Sequence, residues 1–276
     1  MRQRRASFLC RDTPLPLVLR SAAMTLSGFC HSFILLLSLG VAVPSAAAEA
    51  SVADNPDFQF ALLKYTGGNF NPRPHGLTRL AWEIRRRTSI GMELTVAQVD
   101  ATDDALFDFP LLVWQGDSGF PLLSDLAIAK LRQHLTMGGT LLVDLSDATP
   151  KGAFHQAVLR ELGRIFPDKR PTRVPMEHVL YKSYYLVDRH GGRVPAQPFL
   201  EGFWLEDRLT VVIIANDLAG AMSRDDFGQW EYDVGAGGDV AREMSFRLGV
   251  NLVMYALCLD YKDDQVHLPY ILKRRR

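Results

Sequence analysis

Apolar and polar positions alternate with two periods along this chain, and the two periods take turns. Phe58-Gln-Phe-Ala-Leu-Leu-Lys64 alternates and then runs apolar, as a strand does. From Gly76 to Arg87 the apolar residues Leu77, Leu80, Ala81 and Ile84 fall at helical spacing, and Arg85, Arg86 and Arg87 close the last turn, where cations suit the helix dipole. Glu93–Val99 reads as a second strand and Phe109–Trp114 as a third, the latter apolar throughout, as the middle of a parallel sheet requires. A helix follows with Ser124 as N-cap, a stripe of Leu126, Leu131 and Leu135, and a stop at Gly138-Gly139. Thr140–Val143 is the next strand and ends at Asp144. A helix over about 152–166 is stopped by Pro167. Residues 168–200 have no clear period. Leu209–Ala215 is the strongest strand in the chain, and a loop ending in Gly-Ala-Gly-Gly-Asp leads to a long helix from Val240 to about residue 259.

Strands separated by helices of this length call for crossover connections. The expected fold is therefore a single α/β domain, a doubly wound and mostly parallel sheet with helices on both faces.

The first fifty residues belong to a different pattern. Five arginines (Arg2, Arg4, Arg5, Arg11, Arg20) precede an eleven-residue apolar run, Phe33–Val43, and then Pro44, Ser45 and a run of alanines. A basic segment, a short apolar core and small residues at an A-x-A site make a secretory signal, with cleavage expected after Ala48 and a mature start at Glu49. Eleven residues fall short of the ~20 that span a bilayer, although an uncleaved anchor is an open alternative, as is initiation at Met24. The expected layout is a signal over 1–48, a linker over 49–56, the α/β domain over 57–262 and a basic tail over 263–276. That places the protein in the periplasm or outside the cell, without stable membrane insertion after cleavage.

Charge and cysteine content agree with this layout. The 276 residues carry 31 basic and 31 acidic side chains, but without residues 1–48 the count is 26 against 30, a formal charge of −4. That balance argues against a nucleic-acid binder. Cys10 and Cys30 leave with the signal, so Cys258 remains alone among the apolar residues of the last helix, where a buried, inert thiol is expected.

In a doubly wound sheet, ligands sit beyond the carboxyl ends of the strands. Polar clusters fall there after four strands: Tyr65, Gly67, Gly68 and Asn69; Gln115 and Asp117; Asp144 and Ser146; Asn216 and Asp217. Turns also favour these residue types, so each cluster has a plain structural reading beside the ligand-binding one. Asp144-Leu145-Ser146-Asp147 stands where a nucleophile elbow would, but lacks its glycines. His75, His134, His155, His178, His190 and His267 form no zinc spacing, and the glycine-rich segments have neither Walker nor Rossmann spacing. No metal or cofactor is expected. Asp144, Asp117 and His178 are the candidates for acid–base work, should the protein be a hydrolase of an envelope carbohydrate or peptide.

Taken in order, several segments resemble one bacterial family, the domain of unknown function 4159. They are Tyr65-Thr66-Gly67-Gly68-Asn69-Phe70, Leu106–Pro110, the series Leu131, Leu135, Gly138, Gly139, Leu141 and Asp144, then Phe166-Pro167-Asp168. They continue with His178, Tyr181, Ser183, Tyr184 and Tyr185, then Asn216-Asp217-Leu218 and residues 249–257. The resemblance implies a flavodoxin-like sheet similar to the class I glutamine-amidotransferase and trehalose-utilisation folds, and a cell-envelope setting. Those amidotransferases keep a cysteine at the elbow, where this chain has Asp144-Leu145-Ser146. Amidotransferase chemistry is therefore not expected, and the full set of polar strand ends without a recognisable nucleophile points to a domain that binds a ligand or an envelope partner without that reaction.

Overall fold

The computed structural model describes residues 57–258, which lie in one compact unit. The expected signal, linker and basic tail, and His267, lie outside the described residues. Seven strands make one sheet: β1 (Ala61–Lys64), β2 (Ala97–Asp100), β3 (Leu111–Gly116), β4 (Thr140–Leu145), β5 (Thr172–Arg173), β6 (Glu201–Leu205) and β7 (Arg208–Ile214). Their order is β2-β1-β3-β4-β7-β6-β5. The first five strands in that order are parallel, and β6 and β5 add antiparallel beyond β7. The parallel part has the flavodoxin-like order, with its reversal between β1 and β3.

Both faces are covered. On one face, α1 (Gly76–Arg87), α4 (Leu218–Met222) and α5 (Gly238–Leu257) pack over Leu62, Val113, Leu142, Val212 and Ile214. On the other, α2 (Asp125–Thr136) and α3 (Ala153–Ile165) pack over Leu63, Trp114, Leu141, Val143 and Ile213. The central strands β3 and β4 are buried at every residue, the reason they read as unbroken apolar runs.

The local grammar mostly holds. Ser124 caps α2, accepting from the Ala127 N–H at 3.2 Å. The buried stripe of α2, however, is Ala127, Ile128, Leu131, His134 and Leu135, and Leu126 is 55% exposed. Residue 126 stands one position off the inward face, so its leucine misled the periodicity. In α1, Glu83 is turned inward and buried, and Arg79, Arg86 and Arg87 all pair with it.

Two elements have no periodic signal at all. Helix α4 is five residues long, too short for an amphipathic pattern, and all five are buried. Strand β6 forms a two-residue hairpin with β7, in which Glu206 takes a left-handed conformation (φ 53°). The segment without period, 168–200, supplies the two-residue β5, which lies between Pro171 and Pro175, and a short 3-10 turn over Val179–Lys182.

The remainder of that segment is held by α5. Asn251 is buried, and its Oδ1 accepts from the backbone N–H groups of Tyr184 (3.2 Å) and Tyr185 (2.7 Å). Its Nδ2 donates to the Tyr185 carbonyl at 2.8 Å, and the Ser183 hydroxyl donates to the Asn251 carbonyl at 2.8 Å. Two sequence segments 66 residues apart are thus one structural unit. Gly249 makes room beside it, since a Cβ there would lie 2.7 Å from a Leu80 methyl of α1. Cys258 departs from expectation. It is the C-cap residue of α5 and only partly buried, because the last turn runs past the core and leaves Leu257 exposed as well.

Replacing Asn251 with Ala removes both acceptor bonds to the 184–185 backbone. Urea unfolding of Asn251→Ala is expected to show a loss of about 1–3 kcal/mol, the range for unsatisfied, partly buried donors.

Candidate functional site

The glycine turn after β1 is shaped by what lies against it. Gly67 adopts φ 79°, and a Cβ there would overlap Pro121. Gly68 lies under the Tyr65 ring, 2.9 Å from an ideal Cβ. Tyr65 is buried, and its hydroxyl stands 2.9 Å from the Gln115 carbonyl and 3.0 Å from the Asn69 carbonyl. Burial, and after it the nearby Asp117 carboxylate, pushes the Tyr65 hydroxyl pKa far up, so it stays a donor. The Asn69 amide donates to Asp117 Oδ2 at 2.9 Å across the gap between the β1 and β3 loops. The structure therefore brings Tyr65, Gly67, Gly68, Asn69, Gln115 and Asp117 together at the switch point of the sheet. Beside Gly67 the surface opens into a groove of about 620 Å³, lined by Gly67, Phe120, Pro121, Ala153, Gln156 and Arg160 among others.

The second group forms around α4. Asp144, at the carboxyl end of β4, is 1% exposed, and its two oxygens accept from the Leu218 (2.8 Å) and Ala219 (2.9 Å) N–H groups. Asp217 caps the same helix from a left-handed conformation (φ 55°), accepting from the Gly220 N–H at 3.0 Å. Short polar side chains tolerate that conformation better than most. Between them the two carboxylates satisfy N–H groups that a buried helix start leaves without intrahelical partners.

Asp217 is fully buried and carries two cations. Arg73, from the loop after β1, donates to it from Nε (3.0 Å) and Nη2 (2.8 Å). Arg193 donates through its Nε to Asp217 Oδ2. Arg73 also donates to the Ser146 carbonyl at 2.8 Å, and its guanidinium lies 4.2 Å over the Tyr232 ring. Asn216 ties down the segment near Arg193: its Oδ1 accepts from the Gln197 N–H at 2.8 Å, and its Nδ2 donates to the Gln197 carbonyl at 3.0 Å. At the far end of α4, Arg242 of α5 donates to the Ala221 carbonyl at 2.5 Å and stacks 3.9 Å over Trp230.

Arg73, Arg193, Tyr232 and Arg242 carry no local sequence signal. Arg73 and Asp217 are 144 positions apart, and only the fold pairs them. Ser146 is fully buried, and its hydroxyl has no hydrogen-bond partner among the described residues, as is true of both amide atoms of Gln115.

His178 is not brought to Asp144. It caps the 3-10 turn, accepting from the Leu180 N–H at 3.2 Å, and its ring packs edge-on against Trp204 and Tyr255. Tyr255 bonds the backbone of Leu209 at the start of β7, whereas Asp144 is in register with Ile214 at its end. Five residues of strand, roughly 16 Å, separate those two levels. His155, in the first turn of α3 just after β4, stands instead on the carboxyl-end side, and its Nε2 lies 3.9 Å from Glu201. Its pKa is held low, first by burial. Among the described residues no group of three or more His, Cys, Asp or Glu side chains converges as a metal site would.

The fold and this strand-end arrangement define the class, a flavodoxin-like α/β domain with a polar, ion-paired network at the carboxyl ends of its sheet. Residues 59–257 match the model of the family described as Domain of unknown function (DUF4159), and the chain belongs to that family. No curated protein matches it.

Asp144 gives the network a pH dependence. Burial, and after it the Asp217 carboxylate, pushes its pKa up from the usual range to about 7. An acid whose pKa is raised by folding binds its proton more tightly in the folded state. Its contribution is therefore full below the unfolded pKa, about 4, and is lost as pH rises towards 7. The difference in unfolding free energy between the wild type and Asp144→Asn should shrink steadily from pH 4 to pH 7. A difference independent of pH would mean that Asp144 is ionised throughout.

Proposed function

We propose that this chain is an exported binding protein, an amidotransferase-like domain that holds a ligand or a cell-envelope partner without carrying out the amidotransferase reaction. The observation that carries the reading is the state of the elbow position. A serine nucleophile needs a base within hydrogen-bond reach and an open path to substrate. Ser146 has neither: it is wholly buried, and the neighbouring Asp144 already holds the start of α4. Asp217 and Asn216 are likewise committed to Arg73, Arg193 and the 191–197 segment. The groove beside Gly67 stays accessible, and flavodoxin-like sheets take their ligands at this switch point.

The test pairs binding with turnover. Thermal-shift screening against sugars, nucleotides, peptides and metal salts is expected to give a ligand whose shift disappears in Gln156→Trp, which fills the groove from the exposed side of α3. Turnover of an ester, amide or glycoside by the wild type, abolished in Asp144→Asn, would overturn the non-catalytic reading.

Export rests on the arginines, the eleven-residue apolar run and the alanines before Glu49. N-terminal sequencing of protein from the envelope fraction should begin at Glu49. An intact N-terminus with tight membrane retention would instead make Phe33–Val43 an anchor.

A further inference from the structure

A second pocket lies over the carboxyl end of β7, separate from the groove beside Gly67. It has a volume of about 210 Å³ and is walled by two glycine-rich segments, 189–195 and 234–241, with Asn216 among its lining residues. Two of its side chains are the cations Arg189 and Arg193; a third, His190, has its pKa held low, first by burial, and its Nε2 stands 2.9 Å from the Tyr181 hydroxyl. Carboxylates near them are few. Asp188 pairs with Arg189 at 3.2 Å in an exposed contact that solvent screens, and Asp233 and Asp239 act on Arg242.

The charge count inside the wall is uneven. Arg73 and Arg193 are both cations, and both are served by the single buried carboxylate of Asp217. Asp144 gives its oxygens to backbone N–H groups of α4 and hydrogen-bonds neither arginine, although its charge, when ionised, acts on Arg73. Arg193 spends only its Nε on Asp217, and among the described residues no hydrogen bond occupies its two Nη groups. A guanidinium with free terminal nitrogens offers a carboxylate or phosphate two parallel donors, which a lysine could not.

We propose that this pocket binds a small oxyanion, the carboxylate or phosphate group of a low-molecular-weight ligand, through Arg193 at its inner wall and Arg189 at its mouth. The volume corresponds to about seven water molecules at ~30 Å³ each, enough for an anionic head group and too little for a polymer. The bound anion supplies the negative charge that the Arg73–Asp217–Arg193 group lacks. Binding here therefore tightens the same contacts that fix α4, and ligand and fold are coupled.

The probes are inorganic phosphate and succinate, titrated by calorimetry into the full chain at constant ionic strength, with chloride as the control. Val240 lines the pocket and is 56% exposed, so it can be changed without entering the core. Saturable binding of phosphate or succinate is expected, weakened about tenfold or more in Val240→Glu, which sets a negative charge in the pocket, and retained in Val240→Gln. Arg189→Gln should weaken binding in the same direction. Preference for one probe over the other identifies the head group. Absence of saturable binding for both probes, or equal affinity in Val240→Glu and Val240→Gln, would overturn the proposal. Because the groove beside Gly67 is untouched by these changes, a ligand lost only in Gln156→Trp bears on that groove and not on this pocket.

Discussion

Two carboxylates buried at the start of a five-residue helix organise the upper end of this molecule. A helix as short as α4 has almost no stability of its own, because nucleation costs more than one turn of hydrogen bonds returns. It persists because Asp144 comes from β4 and Asp217 from the chain just after β7, and both present oxygens to its first N–H groups. Burying an unpaired charge is costly, and breaking such a pair from one side costs about 3–5 kcal/mol. Arg73 and Arg193 therefore follow from Asp217, and the loops that carry them are fixed in turn. Arg242 completes the design from the other end, meeting the Ala221 carbonyl in the last turn of α4 with a cation.

This network shows what the sequence can and cannot carry. The parallel strands β1, β3, β4 and β7 and the helices α1, α2, α3 and α5 were legible because each buries a face with a regular period. Helix α4 and strand β5 were not, since five and two residues are too few to establish one, and β6, Glu-Gly-Phe-Trp-Leu, neither alternates nor runs apolar throughout. Strand β2 starts at Ala97 and not at Glu93, leaving only an isolated bridge between Phe58 and Met92 upstream of it. The polar strand ends were visible as a set, yet their purpose was hidden. Asp144 looks the same in one dimension whether it faces a substrate or a helix, and its partners lie 74 and 75 positions away.

The site residues divide accordingly. Asp144, Asn216, Asp217 and Tyr65 are buried and engaged with backbone groups or arginines, so their chemistry is spent on shape. Asp117 and Asn69 face outward at the switch point and remain able to meet a ligand. The motif His178–Tyr185 turns out to be a docking segment for Asn251 and a cap for a 3-10 turn, at the opposite end of the sheet from the polar network. Recurrence of residue types along a chain marks constraint, and here much of the constraint is mechanical.

The antiparallel pair beyond β7 has a consequence for how molecules of this protein meet. A sheet that stopped at β7 would leave a long, flat, apolar rim of unpaired backbone groups. Strand β6 covers that rim, and β5 ends the sheet after two exposed residues, Thr172 and Arg173, between Pro171 and Pro175. Proline lacks the donor that a further strand would need, and a charged two-residue edge offers too short a template for edge-to-edge growth. At this edge the chain is protected against self-templated aggregation by its own geometry.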